Sequence, residues 1–164
     1  MKRLWFAFAL LAGCSGGGDD AADRNEALPA GQTAAGGSLT TLTGLYEGGE
    51  TRTPNQMCIV EGTGEARFGL VVWGSNLHSC SGSGTVARAG DTLRLSMAGD
   101  EACTIEAKIS GNTVTLPASV PDGCAYYCGA RATLTGAVLT QKGNSVEDAG
   151  RAKDLVGDPL CIGS

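Results

Sequence analysis

The sequence predicts a mainly β protein: a small antiparallel meander that closes into a barrel or rolled sheet, is stapled by disulfides and ends in a short helix. Three observations carry that prediction. Apolar and polar residues alternate in run after run, the gaps between runs hold turn residues, and six cysteines (Cys58, Cys80, Cys103, Cys124, Cys128 and Cys161) fall in the same region.

The β-domain is expected over 42–164. In "ARFGLVVW", Phe68, Leu70 and Val72 share one face; in "TLRLSM", Leu93, Leu95 and Met97 do the same. "CTIEAKIS" sets Cys103, Ile105, Ala107 and Ile109 against Thr104, Glu106, Lys108 and Ser110, and "TVTL" repeats the pattern with Val114 and Leu116. A period of two puts one face in a core and the other in water. "GTG", "AGD", "GDE" and "SGN" between the runs are hairpin chemistry. Strands joined this tightly form a meander, and five to eight of them close or roll up. After the last strand, Asn144 or Ser145 caps a predicted helix through "VEDAGRAKDLV", with Gly157 and Pro159 beyond it as stops. Gly150 inside that span opposes the helix.

The first residues carry an address. Lys2 and Arg3 precede an uncharged apolar stretch from Leu4 to Ala12. At ~1.5 Å per residue it is too short to cross a ~30 Å hydrocarbon layer, but it suits the central region of a secretory leader. Leu11-Ala12-Gly13-Cys14 resembles the lipobox of bacterial lipoproteins. The resemblance implies removal of residues 1–13, a thioether from Cys14 to diacylglycerol, and a further acyl group such as palmitate on its amine. Acyl chains contribute ~0.8 kcal/mol per buried CH2, so several make a lasting anchor in the bilayer. Ser15 stands where an aspartate favours the inner membrane in many such proteins, which implies the outer membrane, facing the periplasm. The plainer alternative, a buried N-terminal strand, fits poorly with the "SGGGDD" that follows Cys14.

Residues 14–41 read as a flexible tether, since they hold little that could offset the entropy of ordering. About 25 such residues span roughly 25–30 Å as a coil. Asp19, Asp20 and Asp23 within it are read as solvated carboxylates, not a metal site. The chain has a formal net charge of −5, and removal of Lys2 and Arg3 makes it more negative. No basic block is present, so a nucleic-acid partner is not expected.

With Cys14 set aside, an even number of cysteines in an exported domain reads as a disulfide framework with 15 possible connectivities. Hairpin register places Trp73 roughly opposite Cys80, and Cys80 level with the Gly99–Glu101 turn. Cys103 lies just past that turn, and Leu116 runs back to the same end, delivering "SVPDGCAYYCG". Cys80, Cys103, Cys124 and Cys128 should therefore gather at one end, where any two whose Cα atoms approach within about 7 Å can pair. A bond from Cys58 to Cys161 would tie the chain ends together. Only 5% of the residues are aromatic and 26 are glycine, so the core is modest. Bridges worth about 2–4 kcal/mol each account for the cysteines by stability alone.

Signatures of catalysis are weak. Cys124 and Cys128 form a C-x3-C pair, and no C-x-x-C, G-x-S-x-G or phosphate loop occurs, so no metal or cofactor is expected. The single histidine, His78, has Ser75, Ser79 and Ser81 nearby, which defines a small-hydrolase alternative. A better candidate is the stapled end, where Trp73, Asn76, His78, Tyr126 and Tyr127 could present aromatic faces and an amide to a sugar or a protein loop. The plainer reading packs Trp73 and one tyrosine in the core and scatters the others. The function expected is a binding or protective module for an envelope protein or glycan, not an enzyme. In size, address, disulfides and antiparallel architecture the chain resembles lysozyme-inhibitor lipoproteins, a likeness of class that reaches no loop motif in "CSGSGTVARAG". A scaffold subunit docking through the helix at 145–156 is the remaining alternative.

Overall fold

The computed structural model describes residues 41–99 and 102–161. The leader, Cys14, the tether up to residue 40, and Asp100 and Glu101 of the "GDE" turn lie outside the described residues. Eight antiparallel strands form a closed barrel in which each pairs with the next and the last returns to the first. They are β1 (Gly44–Gly49), β2 (Pro54–Val60), β3 (Ala66–Trp73), β4 (Ser79–Ala89), β5 (Thr92–Met97), β6 (Thr104–Ser110), β7 (Thr113–Thr115) and β8 (Val138–Gly143). The β4–β5 and β6–β7 hairpins turn on two residues, Gly90-Asp91 and Gly111-Asn112. The first residue of each has positive φ, 63° and 55°, which glycine adopts without strain and which matches the twist of the flanking strands.

The alternating faces point where the pattern requires. Phe68, Leu70, Val72, Leu93, Leu95, Ile105, Ala107, Ile109, Val114 and Leu139 fill the interior together with Tyr46, Met57 and Ile59. The interior is thus a packed core, as in other eight-stranded barrels of this kind. The outward positions of β5 and β6 hold Arg94, Glu106 and Lys108, which are exposed, so this wall suits water and not acyl chains.

Two expectations need correction. Trp73 lies opposite Ser79, while Cys80 lies opposite Val72. The Gly74–His78 connection therefore sets a register one residue away from that expected. Cys80 and Val72 consequently face the core and Trp73 faces outward. The helix is also far shorter than "VEDAGRAKDLV": α1 spans Val146–Ala149 only. Ser145 caps it by accepting from the Asp148 N–H, and the Asp148 carboxylate accepts from the Ser145 N–H in return. Beyond Gly150 the chain folds back on itself: the Leu160 N–H donates to the Ala152 carbonyl, and Lys153 bridges to Pro159. Burial of Ala149, Ala152 and Cys161 against Leu45 and Cys58 on the outside of the wall wins over helix propensity. The tail is a strap laid on the barrel, riveted by the Cys58–Cys161 disulfide.

The lower end, where the chain enters β1, is pinned by one carboxylate. Glu61 accepts from the N–H groups of Leu42 and Thr43 at 2.7 and 3.1 Å and from the hydroxyls of Thr41 and Thr43. Its own N–H donates to the Thr43 hydroxyl at 3.0 Å. Just above, the buried Tyr46 hydroxyl donates to the Leu42 carbonyl, and the Gln141 amide reaches both the Thr43 carbonyl and that hydroxyl. Partial burial pushes the Glu61 carboxyl up, but the hydrogen bonds from Thr41, Leu42 and Thr43 together hold it below its ordinary value.

Two predictions follow from the strap and the lower end. The Cys58–Cys161 bond closes a separation of 103 residues. Replacing both cysteines by alanine should lower unfolding free energy by about 2–5 kcal/mol in denaturant titrations, with barrel circular dichroism retained. Because Glu61 is held below its unfolded value, its contribution is present above the ordinary carboxylate range and is lost as pH falls through the folded value. The melting-temperature gap between wild type and Glu61→Gln should be widest near neutrality and shrink in acid; a gap independent of pH would contradict the role given to this carboxylate.

Candidate functional site

The upper end of the barrel carries the connections 50–53, 74–78 and 116–137 and the described residues on either side of the β5–β6 turn. The 116–137 connection caps the opening. It turns through a 3-10 segment, Asp122–Tyr127, and sends Leu134 down into the core. Two disulfides fasten it, Cys103–Cys124 at the start and Cys80–Cys128 at the end of that segment. Two further backbone bonds hold it, from Gly129 to the Ser79 carbonyl and from Gly136 to the Pro117 carbonyl.

The Gly74–His78 loop leans on this cap. A side chain at Gly74 would lie 2.5 Å from the Arg131 carbonyl oxygen, so only glycine lets the two segments approach. The Gly74 N–H donates to the His78 carbonyl, the His78 N–H to the Ser75 carbonyl, and the Trp73 N–H to the buried Asn55 side chain at 2.8 Å. Thus braced, the loop holds two consecutive non-glycine residues in the left-handed region, Asn76 at φ 55° and Leu77 at φ 60°. Asn tolerates that region; for Leu it is a true outlier, and such residues cost about 1–3 kcal/mol each. The result is a leucine that is 72% exposed at the crest of the loop.

Leu77 is a ridge between two shallow depressions. On one side lie His78, Ser79, Ser81, Tyr126, Tyr127 and Leu155 from the strap. On the other lie Gly49, Glu50, Thr53, Asn55, Trp73, Ser75 and Asn76. All five residues singled out in the sequence line one or other hollow. Their burial differs: Trp73 and His78 are partly buried, Asn76 is exposed, Tyr126 is 63% exposed, and Tyr127 packs partly against the core with its ring beside Gly82 and its hydroxyl near Gly99. Tyr126 and Tyr127 meet edge to face with centroids 5.2 Å apart. The His78 ring makes no hydrogen bond to Ser75, Ser79 or Ser81 among the described residues.

Sequence reasoning passed over Leu77, Leu155, Glu50 and Thr53. Leu77 did leave a trace, being an apolar residue in a Gly-Ser-Asn turn that belongs to no alternating run. Leu155 left none, because it reaches the upper end only through the strap's path. Among the described residues no cluster of three metal-ligating side chains occurs. What this end offers chemically is a rigid, mixed aromatic and polar surface around an exposed leucine.

If Leu77 is strained and unburied, Leu77→Gly should not destabilise the fold and should raise its stability by up to about 1 kcal/mol, read from thermal or denaturant unfolding. A loss above that size would mean Leu77 is held by packing and not forced outward. No family model, curated protein or solved structure matches this chain, so the functional reading rests on the geometry of this end.

Proposed function

We propose that the chain is exported, lipidated at Cys14 and tethered to the envelope, probing its surroundings with the upper end of the barrel as a binding or protective module for an envelope protein or glycan. One observation carries the binding role: the braced loop that spends conformational energy to hold Leu77 in water, flanked by Tyr126 and Trp73. Strain of this kind concentrates at sites where a fixed shape serves recognition. The polar outer wall is consistent with a domain surrounded by water, and residues 41–43, which lead into β1, lie at the lower end, away from Leu77. The outer membrane, facing the periplasm, is the location this reading takes from Ser15. The scaffold alternative loses its docking helix, because α1 is a single turn.

The test has two arms. Cys14→Ala should abolish incorporation of labelled palmitate and move the protein from the membrane to the soluble fraction; retention of both would end the lipoprotein reading. Leu77→Asp and Tyr126→Ala, introduced into the anchored protein, should remove whatever phenotype deletion of the whole protein produces, while leaving its abundance unchanged. Full complementation by both variants would exclude the upper end as the working surface.

A further inference from the structure

We propose that the hollow around Trp73 is a subsite for a neutral pyranose unit of a glycan chain. This deepens the reading of the upper end as the binding face and rests on it. The hollow is ≈ 530 Å³, within the range of about 300–1,000 Å³ typical of small-molecule sites. Trp73 forms part of its wall and is partly buried; Glu50, Thr53, Ser75 and Asn76 surround it. The indole N–H and the four polar side chains make no hydrogen bond to any described residue. Polar groups nearby are committed: Gln56 to Glu47, and Asn55 to the Trp73 backbone N–H. The hollow therefore gathers an aromatic surface, two donors (indole N–H and Asn76 amide), two hydroxyls and a carboxylate, all unspent.

A pyranose ring matches that inventory. It has a C–H face able to lie on an indole and a rim of hydroxyls that both donate and accept. Charge narrows the class. Glu50 is the only charged side chain lining the hollow, and the chain as a whole is acidic. No basic side chain is among the lining residues, so a uronic or phosphorylated sugar would meet the Glu50 carboxylate without a lining cation, which favours a neutral sugar, plain or acetamido-bearing. A protein loop is the weaker fit on this side, because the exposed apolar side chains Tyr126 and Leu155 lie beyond the Leu77 ridge.

The test uses the oxidised chain starting at residue 14 with Cys14→Ser. Trp5 lies in the leader, so Trp73 is then the only tryptophan and its emission reports on the site. Amide NMR spectra and fluorescence are followed during titration with chitohexaose, maltohexaose and an oligogalacturonate. The expected result is saturable shifts confined to 49–55 and 73–77, with a change in Trp73 emission, for a neutral oligomer but not for the uronate. Whether the acetamido or the plain hexose oligomer responds identifies the source. Trp73→Ala, and independently the exposed Asn76→Ala, should weaken binding by about tenfold, or about 1.4 kcal/mol. Absence of a saturable shift with either neutral oligomer overturns the proposal, as does binding indifferent to Trp73→Ala and Asn76→Ala. A specific protein crosslink from position 77 in intact envelopes, with no saccharide response, overturns the sugar subsite but leaves the upper end as the binding face. Saccharide shifts located elsewhere on the barrel, with no crosslink at 77, overturn both.

Discussion

An eight-stranded barrel of this size is full once its inward side chains are in place, and every other property of the molecule follows from that constraint. Tyr46, Met57, Phe68, Leu70, Leu93, Leu95 and Ile105 occupy the interior with almost no exposure. Eight-stranded barrels are either filled by side chains or hold one small molecule, and here side chains fill the interior. The wall is committed as well, polar over β5 and β6 and covered by the strap over β1 and β2. That leaves the ends. At the lower end Glu61 is occupied in holding residues 41–43, and a hollow of ≈ 720 Å³ lies between the 62–65 turn and the strap, while the upper end carries the two hollows that meet at Leu77.

Loops at a barrel's rim are ordinarily its most mobile part, and a recognition surface built on them loses affinity to ordering. Here the cap is bonded covalently to β4 and to the residue preceding β6. The cap in turn backs the Gly74–His78 loop through the close approach at Gly74. Rigidity passes from the disulfides through the cap to the loop. A disulfide framework first read as compensation for a small core thus has a second physical effect, the fixing of rim geometry.

How far these features were legible varies with the range over which they are determined. The alternation at 103–110 depends only on neighbours in sequence, and β6 follows it residue for residue. A meander of five to eight strands, as a barrel or rolled sheet, and the gathering of Cys80, Cys103, Cys124 and Cys128 at one end follow from adding short turns to short strands; the count of eight and the closure come from the structure, through the long 116–137 connection. The β3–β4 register failed by one residue because it depends on the conformation of a five-residue loop with two left-handed residues, for which the residue types give no rule. The helix begins at the expected Ser145 cap but stops at Ala149, because local propensity for 146–156 competes with burial against an outer wall that is invisible until the barrel has closed. Of the site, the aromatic and amide members were readable as types, whereas Leu77 as a ridge and Glu50 and Thr53 as rim emerged only from the loop's actual path.

The three bridges are nested: 103–124 lies inside 80–128, which lies inside 58–161. A chain that oxidised its thiols in the order in which they emerge, amino end first, would join Cys58 to Cys80 and Cys103 to Cys124, stranding Cys128 with Cys161. Only one of those three bonds is native. Maturation therefore requires either that Cys58 and Cys80 stay reduced until the final residues arrive, or that a premature bond between them be exchanged by thiolate attack. Closing from the centre outward is the economical order, because each inner bond shortens the effective loop that the next must close. Native pairing thus depends either on delayed oxidation or on thiol–disulfide exchange, and not on oxidation in order of emergence.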